Sequence, residues 1–262
     1  MPYQTLDVKV DDHLATISLN RPDAYNAINL QLARELLEVT TQVDDDRDVR
    51  SVVLTGLGKA FCAGGDVKEF HDELSRISGH LKQLTGALHG AISHIAGMPK
   101  PVIAAVNGVV AGAGLGLMLA CDLSYAVENA TLMVAYTRIG ATPDASLTYW
   151  LPRLVGMRRA LELTYLNRVL TAKEAYAWGL LNDVISADNF PDKAFRIARQ
   201  IADGPTLAYA RSKKLCNLSL SQTLESQMEF EAREISDNSK TDDFREGVLA
   251  FIKKRPPTFH GS

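Results

Sequence analysis

Cysteine is scarce in this chain: three in 262 residues, Cys62, Cys121 and Cys216. An odd count cannot pair completely, and the spacing matches no metal-ligand pattern. No metal site is expected, and a reducing compartment is the simplest home. Strong charge is missing too. The net charge is −3, which gives no basic field for nucleic acid or an anionic membrane. Any phosphate ligand must therefore be held by local lysines and arginines. No apolar run is long enough to span a bilayer, and the opening stretch MPYQTLDVKVDD carries no apolar leader. A cytoplasmic protein is the expectation. What the chain does have is 46% hydrophobic residues, enough for a real core. The length suits one large domain, or one domain with an appended helical piece.

Two stretches organise the rest. Phe61 to Asp66 reads FCAGGD, and Ala104 to Asp122 reads AAVNGVVAGAGLGLMLACD. Each follows a run of apolar residues rich in β-branching, Ser51 to Thr55 and Pro101 to Val106, of the kind that forms buried parallel strands. Each then enters a glycine-rich turn with a helix behind it. Glycine and alanine remove side chains, so main-chain N–H groups can approach a ligand closely. Two N–H groups aimed at one point stabilise a developing oxyanion. The spacing nominates Gly65 N–H and Ala113 N–H as that pair; a tight turn chosen only for packing is the alternative.

Read in order, Tyr3 to Val10 and Leu14 to Leu19 alternate as a hairpin. Asn29 is a helix N-cap for the run to Val39. Asp44 to Asp46 reads as a solvated acidic linker. A helix is expected over about 79–97, stopped by Met98-Pro-Lys-Pro101. Ala113 to Ala120 is apolar on every side and should be buried. Short strands follow at 122–126 and 131–134, and Tyr136 to Asp144 (YTRIGATPD) reads as loop. Helices are expected at 145–151, 157–166 and 172–178 with Gly179 as the C′ residue, then a strand at 182–185. From Asn189 onward the pattern is helical. No fixed-period repeat appears beyond the two strand–turn–helix units.

FCAGGDVKEF and AAVNGVVAGAGLGLMLACDL resemble the crotonase superfamily, the enoyl-CoA hydratase/isomerase family. The resemblance starts at Ala15-Thr-Ile-Ser-Leu-Asn-Arg-Pro22, continues through Arg168 to Ala175, and reaches Phe244-Arg-Glu-Gly247. It implies an α/β fold: a spiral of ββα units over residues 1–195 and a C-terminal helical trimerisation segment over 196–262. It also implies an acyl-CoA thioester substrate, with coenzyme A arriving as part of that substrate and no permanently bound cofactor. Trimers, often paired into hexamers, are the implied assembly. Gly65 and Ala113 would polarise the thioester carbonyl.

The family's hydratases carry a glutamate at each of two positions, which match Gly116 and Tyr136 here. Neither is acidic, so the resemblance does not imply simple water addition. Asp144 is the remaining carboxylate, in Ile139-Gly-Ala-Thr-Pro-Asp144. Its residues alone fit either a catalytic base in an apolar pocket or an N-cap for the following helix. A Pro-Asp here resembles family isomerases, including the one acting on ring-epoxidised phenylacetyl-CoA, in which that aspartate shuttles a proton. It also resembles the 4-chlorobenzoyl-CoA dehalogenase branch, in which it is a nucleophile. In that branch a histidine matches His89, and a tryptophan stands where this chain has Tyr136. A non-catalytic acyl-CoA binder is a further reading, motivated by the missing glutamates.

Remaining candidates are weaker. Cys62 reads as a small buried residue. Asp66 reads as the cap of a helix opening at Val67. The resemblance implies that Ala63, Gly64 and Asp66 meet the adenine of CoA and that Ala24 lies in another CoA-contact segment. His89 and Tyr136 are placed near the acyl group. Lys253 and Lys254 fit either CoA phosphates or a solubilising tail. His71, His80 and His94 have no supporting pattern.

Overall fold

The computed structural model describes residues 3–262. β1 (Leu6–Asp11) and β2 (Leu14–Leu19) form the antiparallel hairpin. Asp12 and His13, at φ 47° and 65°, supply the left-handed turn whose twist suits two strands. Asn29 caps α1 (Leu30–Asp45), its Oδ1 accepting the Leu32 N–H at 2.9 Å. The acidic run is not a linker. Asp44 and Asp45 close α1, and Asp44 lies 2.9 Å from His94.

A strand–strand–helix unit then recurs. The first is β3 (Ser51–Gly56), β4 (Ala60–Cys62) and α2 (Val67–Asp72), extended by the long α3 (Ile77–Gly97). The second is β5 (Val102–Val106), β6 (Val109–Ala111) and α4 (Ala113–Leu119). The third is β7 (Leu123–Val127), β8 (Thr131–Met133) and a 3-10 turn at Tyr136–Ile139. α5 (Leu147–Val155), α6 (Met157–Leu166), β9 (Leu170–Thr171), α7 (Ala172–Ala177) and β10 (Asp183–Ile185) follow. Gly179 stands at φ 83° just past α7, in the C′ role foreseen for it.

The first strand of each unit enters one sheet and the second strand enters another. The six-stranded sheet runs β1-β2-β3-β5-β7-β10, and the four-stranded sheet runs β4-β6-β8-β9. β3 and β5 pair in parallel with Leu54 opposite Ala104. Every residue of both strands is buried, which is why their sequences are continuous apolar runs. α4 is wholly buried, as its uniform apolarity requires.

α8 (Phe190–Ala202), α9 (Thr206–Ser219), α10 (Leu224–Asn238) and α11 (Asp242–Ile252) complete the chain. A division at residue 195 cuts α8, whose Ala194, Ala198 and Ala202 are fully buried. That helix packs into the hydrophobic core. Among the described residues no helix is long and apolar enough to cross a membrane.

Candidate active site

The two glycine turns touch each other. Gly64 sits at φ +96°, and a Cβ there would lie 3.0 Å from the Ala111 carbonyl oxygen and 3.2 Å from Gly112 Cα. Gly112 is also left-handed, at φ +54°. One residue past α4's start, a Cβ on Gly114 would fall 2.3 Å from the Cys62 carbonyl oxygen. The first turn of α4 is thus pressed onto the end of β4, an approach only side-chain-free residues permit.

This contact brings Gly65 and Ala113 to one place. The segment after β4 runs beside residues 25–28. Tyr25 carbonyl accepts the Ala63 N–H at 3.0 Å, Gly64 carbonyl accepts the Ile28 N–H at 2.7 Å, and Ile28 carbonyl accepts the Asp66 N–H at 2.9 Å. In this parallel bridge the peptide groups on either side of Gly65 are used, so Gly65's own N–H faces the opposite side. Ala113 is the first residue of α4, where a helical N–H has no intrahelical acceptor. Among the described residues neither N–H has a main-chain partner. Both residues border one cavity of about 840 Å³.

One wall of that cavity is apolar and comes from α2, α3 and the 3-10 turn Leu74–Arg76 between them: Val67, Phe70, Leu74, Leu81, Leu84 and Leu88. The facing wall is the 135–144 loop, and it carries Asp144 and Tyr136. Asp144 is the only carboxylate among the lining residues. Its Oδ1 accepts the Tyr136 hydroxyl, so its side chain is not spent on capping. Ser146 is the N-cap of α5 and gives no side-chain cap; Asp144 contributes only its main-chain carbonyl, to Leu147 N–H at 3.0 Å. Burial, and then the nearby Asp144 charge, push the Tyr136 hydroxyl far above the ordinary phenol range. It remains a donor at any working pH.

The hydratase acid positions are closed in a specific way. A Cβ on Gly116 would lie 2.1 Å from the Ala145 carbonyl oxygen. The backbone after Asp144 fills the space into which a side chain at 116 would project. Tyr136 fills the other position with a phenol hydrogen-bonded to Asp144.

His89 does not line the cavity. It stands beside Asp144, its Nε2 3.6 Å from Asp144 Oδ2, and that nitrogen accepts the Ala145 N–H at 3.2 Å. Ala24 lies in the 3-10 turn Pro22–Ala24 and is not part of the cavity wall. Asp66 caps α2 as read, its Oδ1 accepting the N–H groups of Lys68 and Glu69 at 3.2 and 3.3 Å. Its Oδ2 receives Arg21 at 2.9 Å. Both carboxylate oxygens are therefore taken, its N–H goes to the Ile28 carbonyl and its carbonyl accepts the Phe70 N–H. Asp66 does not border the cavity, so it is a structural cap rather than the ligand contact expected of it. Lys253 and Lys254 follow α11 and do not border the cavity. Cys62 is fully buried and its thiol is pushed up to about 12 by burial, so it is no nucleophile.

The sequence of residues 9–262 matches the profile of the family described as enoyl-CoA hydratase/isomerase. The chain belongs to the enoyl-CoA hydratase/isomerase family. A Rhodobacter capsulatus protein named "Probable enoyl-CoA hydratase" is 39% identical over 261 residues, covering 100% of both chains. A 4-chlorobenzoyl coenzyme A dehalogenase of Arthrobacter is 38% identical, covering 95% of this chain and 91% of that one. The 1,2-epoxyphenylacetyl-CoA isomerase of Escherichia coli is 35% identical, covering 96% and 97%. Among solved structures, an enoyl-CoA hydratase from Bacillus anthracis superposes with a TM-score of 0.93 at 34% identity, covering 99% of this chain and 100% of that chain. The ββα spiral described above is the crotonase-like fold of this family.

Three features of the site were not read from the sequence. Phe70 covers Gly65, and a Cβ there would lie 2.6 Å from its ring. Ala145 plugs the Gly116 space by its main chain, and Arg21 holds Asp66. A glycine inside an apolar helix, at 116, was the one available signal for close backbone approach.

Proposed function

We propose that this enzyme isomerises an acyl-CoA thioester by moving a proton, with Asp144 as the shuttle. The observation that carries this reading is the Ala145 carbonyl packed against Gly116. It leaves no place for a water-holding acid there, and Asp144 is the one carboxylate lining the cavity that Gly65 and Ala113 border.

The thioester oxygen would accept Gly65 N–H and Ala113 N–H. Asp144 Oδ2 takes a proton from Cα, and the C–H electron pair becomes the enolate double bond. Charge builds on the thioester oxygen, where each preformed donor contributes about 3–4 kcal/mol. The proton then returns to Cγ. Tyr136 holds Oδ1, so one oxygen remains free to do this. CoA enters as part of the substrate, with Ala63 and Gly64 of the cavity wall at its head. Asp144→Asn is expected to abolish conversion of 3-hexenoyl-CoA while its affinity stays within about threefold. Retained conversion would remove Asp144 from the mechanism.

A second reading has its own observation. His89 stands 3.6 Å from Asp144, as a nucleophilic carboxylate with a neighbouring base would need in a 4-chlorobenzoyl-CoA dehalogenase-like reaction. Single turnover of 4-chlorobenzoyl-CoA in oxygen-labelled water separates the two: label entering the Asp144 carboxylate marks an aryl-enzyme.

A homotrimer, or a dimer of trimers, is the assembly proposed with this function. Phe251 and Ile252, 86% and 70% exposed at the end of α11, are the apolar side chains that such an assembly would cover. Light scattering tests it.

A further inference from the structure

The two oxygens of Asp144 have different neighbours. Oδ1 accepts the Tyr136 hydroxyl. Oδ2 faces His89 Nε2 at 3.6 Å. That nitrogen accepts the Ala145 main-chain N–H at 3.2 Å. A ring nitrogen that accepts a hydrogen bond carries no proton, so the ring proton belongs on Nδ1. Nε2 of His89 thus presents a lone pair beside the carboxylate. Its side chain is 50% exposed, against 29% for Asp144. The imidazole therefore reaches from the carboxylate to water. Tyr136 offers no such exit, since burial and Asp144 both bind its proton more tightly.

We infer that His89 is the path by which a proton on Asp144 exchanges with bulk water, and so decides whether the substrate gets back the proton it lost. This rests on the proton-shuttle reading above. Asp144 takes the Cα proton on Oδ2, because Oδ1 is committed to Tyr136. The new O–H faces an unprotonated Nε2. Transfer breaks Oδ2–H and forms Nε2–H, and the Ala145 N–H gives up its acceptor. The imidazolium then releases its Nδ1 proton to water, and the ring is left neutral in the other tautomer. The reverse sequence delivers a solvent proton to Oδ2. Contacts that are long in the free enzyme tighten when substrate is bound, which is what a 3.6 Å gap requires. His89 acts through Asp144 and does not touch the substrate.

The test follows label, not rate. 3-Hexenoyl-CoA with deuterium at both Cα positions is converted in ordinary water, enzyme in excess, and mass spectrometry reads deuterium at Cγ of the product. Wild type is expected to lose most of it. His89→Gln keeps an oxygen for the Ala145 N–H but cannot carry a proton; its product should retain about threefold more label or better. His89→Phe removes the acceptor as well and should show the same gain, which covers the case of a misplaced glutamine. Unchanged retention in both variants overturns the relay, and so does full retention in wild type. Asp144→Asn is the separate control. Turnover surviving there strikes the shuttle reading itself, whereas lost turnover with unchanged label in the His89 variants strikes only the relay.

Discussion

The main-chain carbonyl oxygen of Ala145 lies 2.1 Å from where a Cβ on Gly116 would stand. Ala145 and Ser146 reach that position at φ 52° and 61°, a left-handed conformation that non-glycine residues adopt only when their surroundings hold them there. Ala145 is fully buried. Restoring a carboxylate by Gly116→Glu should therefore not create a hydratase. The side chain meets backbone, and the 144–146 loop that carries Asp144 must move. Hydration of crotonyl-CoA is expected to stay at background, and the midpoint of thermal unfolding to fall by several degrees, as overpacking costs of about 1–3 kcal/mol imply. Measurable hydration in that variant would refute the plugged site.

Ala113 offers a cleaner test of the oxyanion pair. It is the first residue of α4, the one helical position where proline is welcome, because no helical hydrogen bond is lost and φ is already suitable. Ala113→Pro removes the N–H and little else. We expect a folded protein with a near-normal unfolding midpoint and kcat lower by about 10²–10³. Circular dichroism and steady-state kinetics on 3-hexenoyl-CoA check both halves. An active, folded Ala113→Pro variant would mean that this amide holds no developing charge.

Much of this was legible because backbone requirements leave marks in sequence. The two glycine turns approach each other through the main chain, so absent side chains announced them. The fully buried β3 and β5 announced themselves as continuous apolar runs, and the Asn29 and Asp66 caps as short polar residues before helical spacing. β4 and β6 did not, since three residues each are too few to show a period. The acidic run at 44–46 was misread because its partner, His94, is distant in sequence. Likewise Phe70 over Gly65 and Ala145 over Gly116 are contacts between elements, set by how the units stack.

The cysteines give a pH-dependent prediction. Cys62 is pushed up to about 12 by burial, and Cys121 is raised further by burial and by Asp122; Cys216 is exposed. A thiol-specific disulfide reagent near pH 8 should label one thiol quickly in the native enzyme and three in denaturant. The same shift sets a sign for stability. A folded-state value above the unfolded one means the stabilisation is complete below the unfolded thiol pKa, about 8.5, and is lost as pH rises towards about 12. Cys62→Ala should flatten part of that alkaline decline, by at most about 1.4 kcal/mol per pH unit. Urea unfolding across the range measures it, and parallel curves for wild type and variant would contradict the burial of this thiol.

The last prediction concerns Gly65, where the proposed oxyanion contact uses the N–H and packing resists a side chain. A Cβ there would lie 2.6 Å from Cζ and 2.9 Å from Cε2 of Phe70. These atoms are the free end of a ring that can rotate, not backbone. Gly65→Ala keeps its N–H, so the proposed oxyanion contact survives, but Phe70 must swing. Phe70 lines the acyl cavity, so the displaced ring takes space that the acyl chain needs. The single variant should show a raised KM with kcat within about threefold of wild type. Trimming the ring in Gly65→Ala/Phe70→Leu should recover much of that loss. The two changes should then couple by about 1 kcal/mol in kcat/KM, within the range seen for residues in contact. Strict additivity across the four proteins would show that Phe70 is not what opposes alanine at 65. A Gly65→Ala variant that lost kcat rather than affinity would show that the turn itself had moved and carried the amide away from the thioester oxygen.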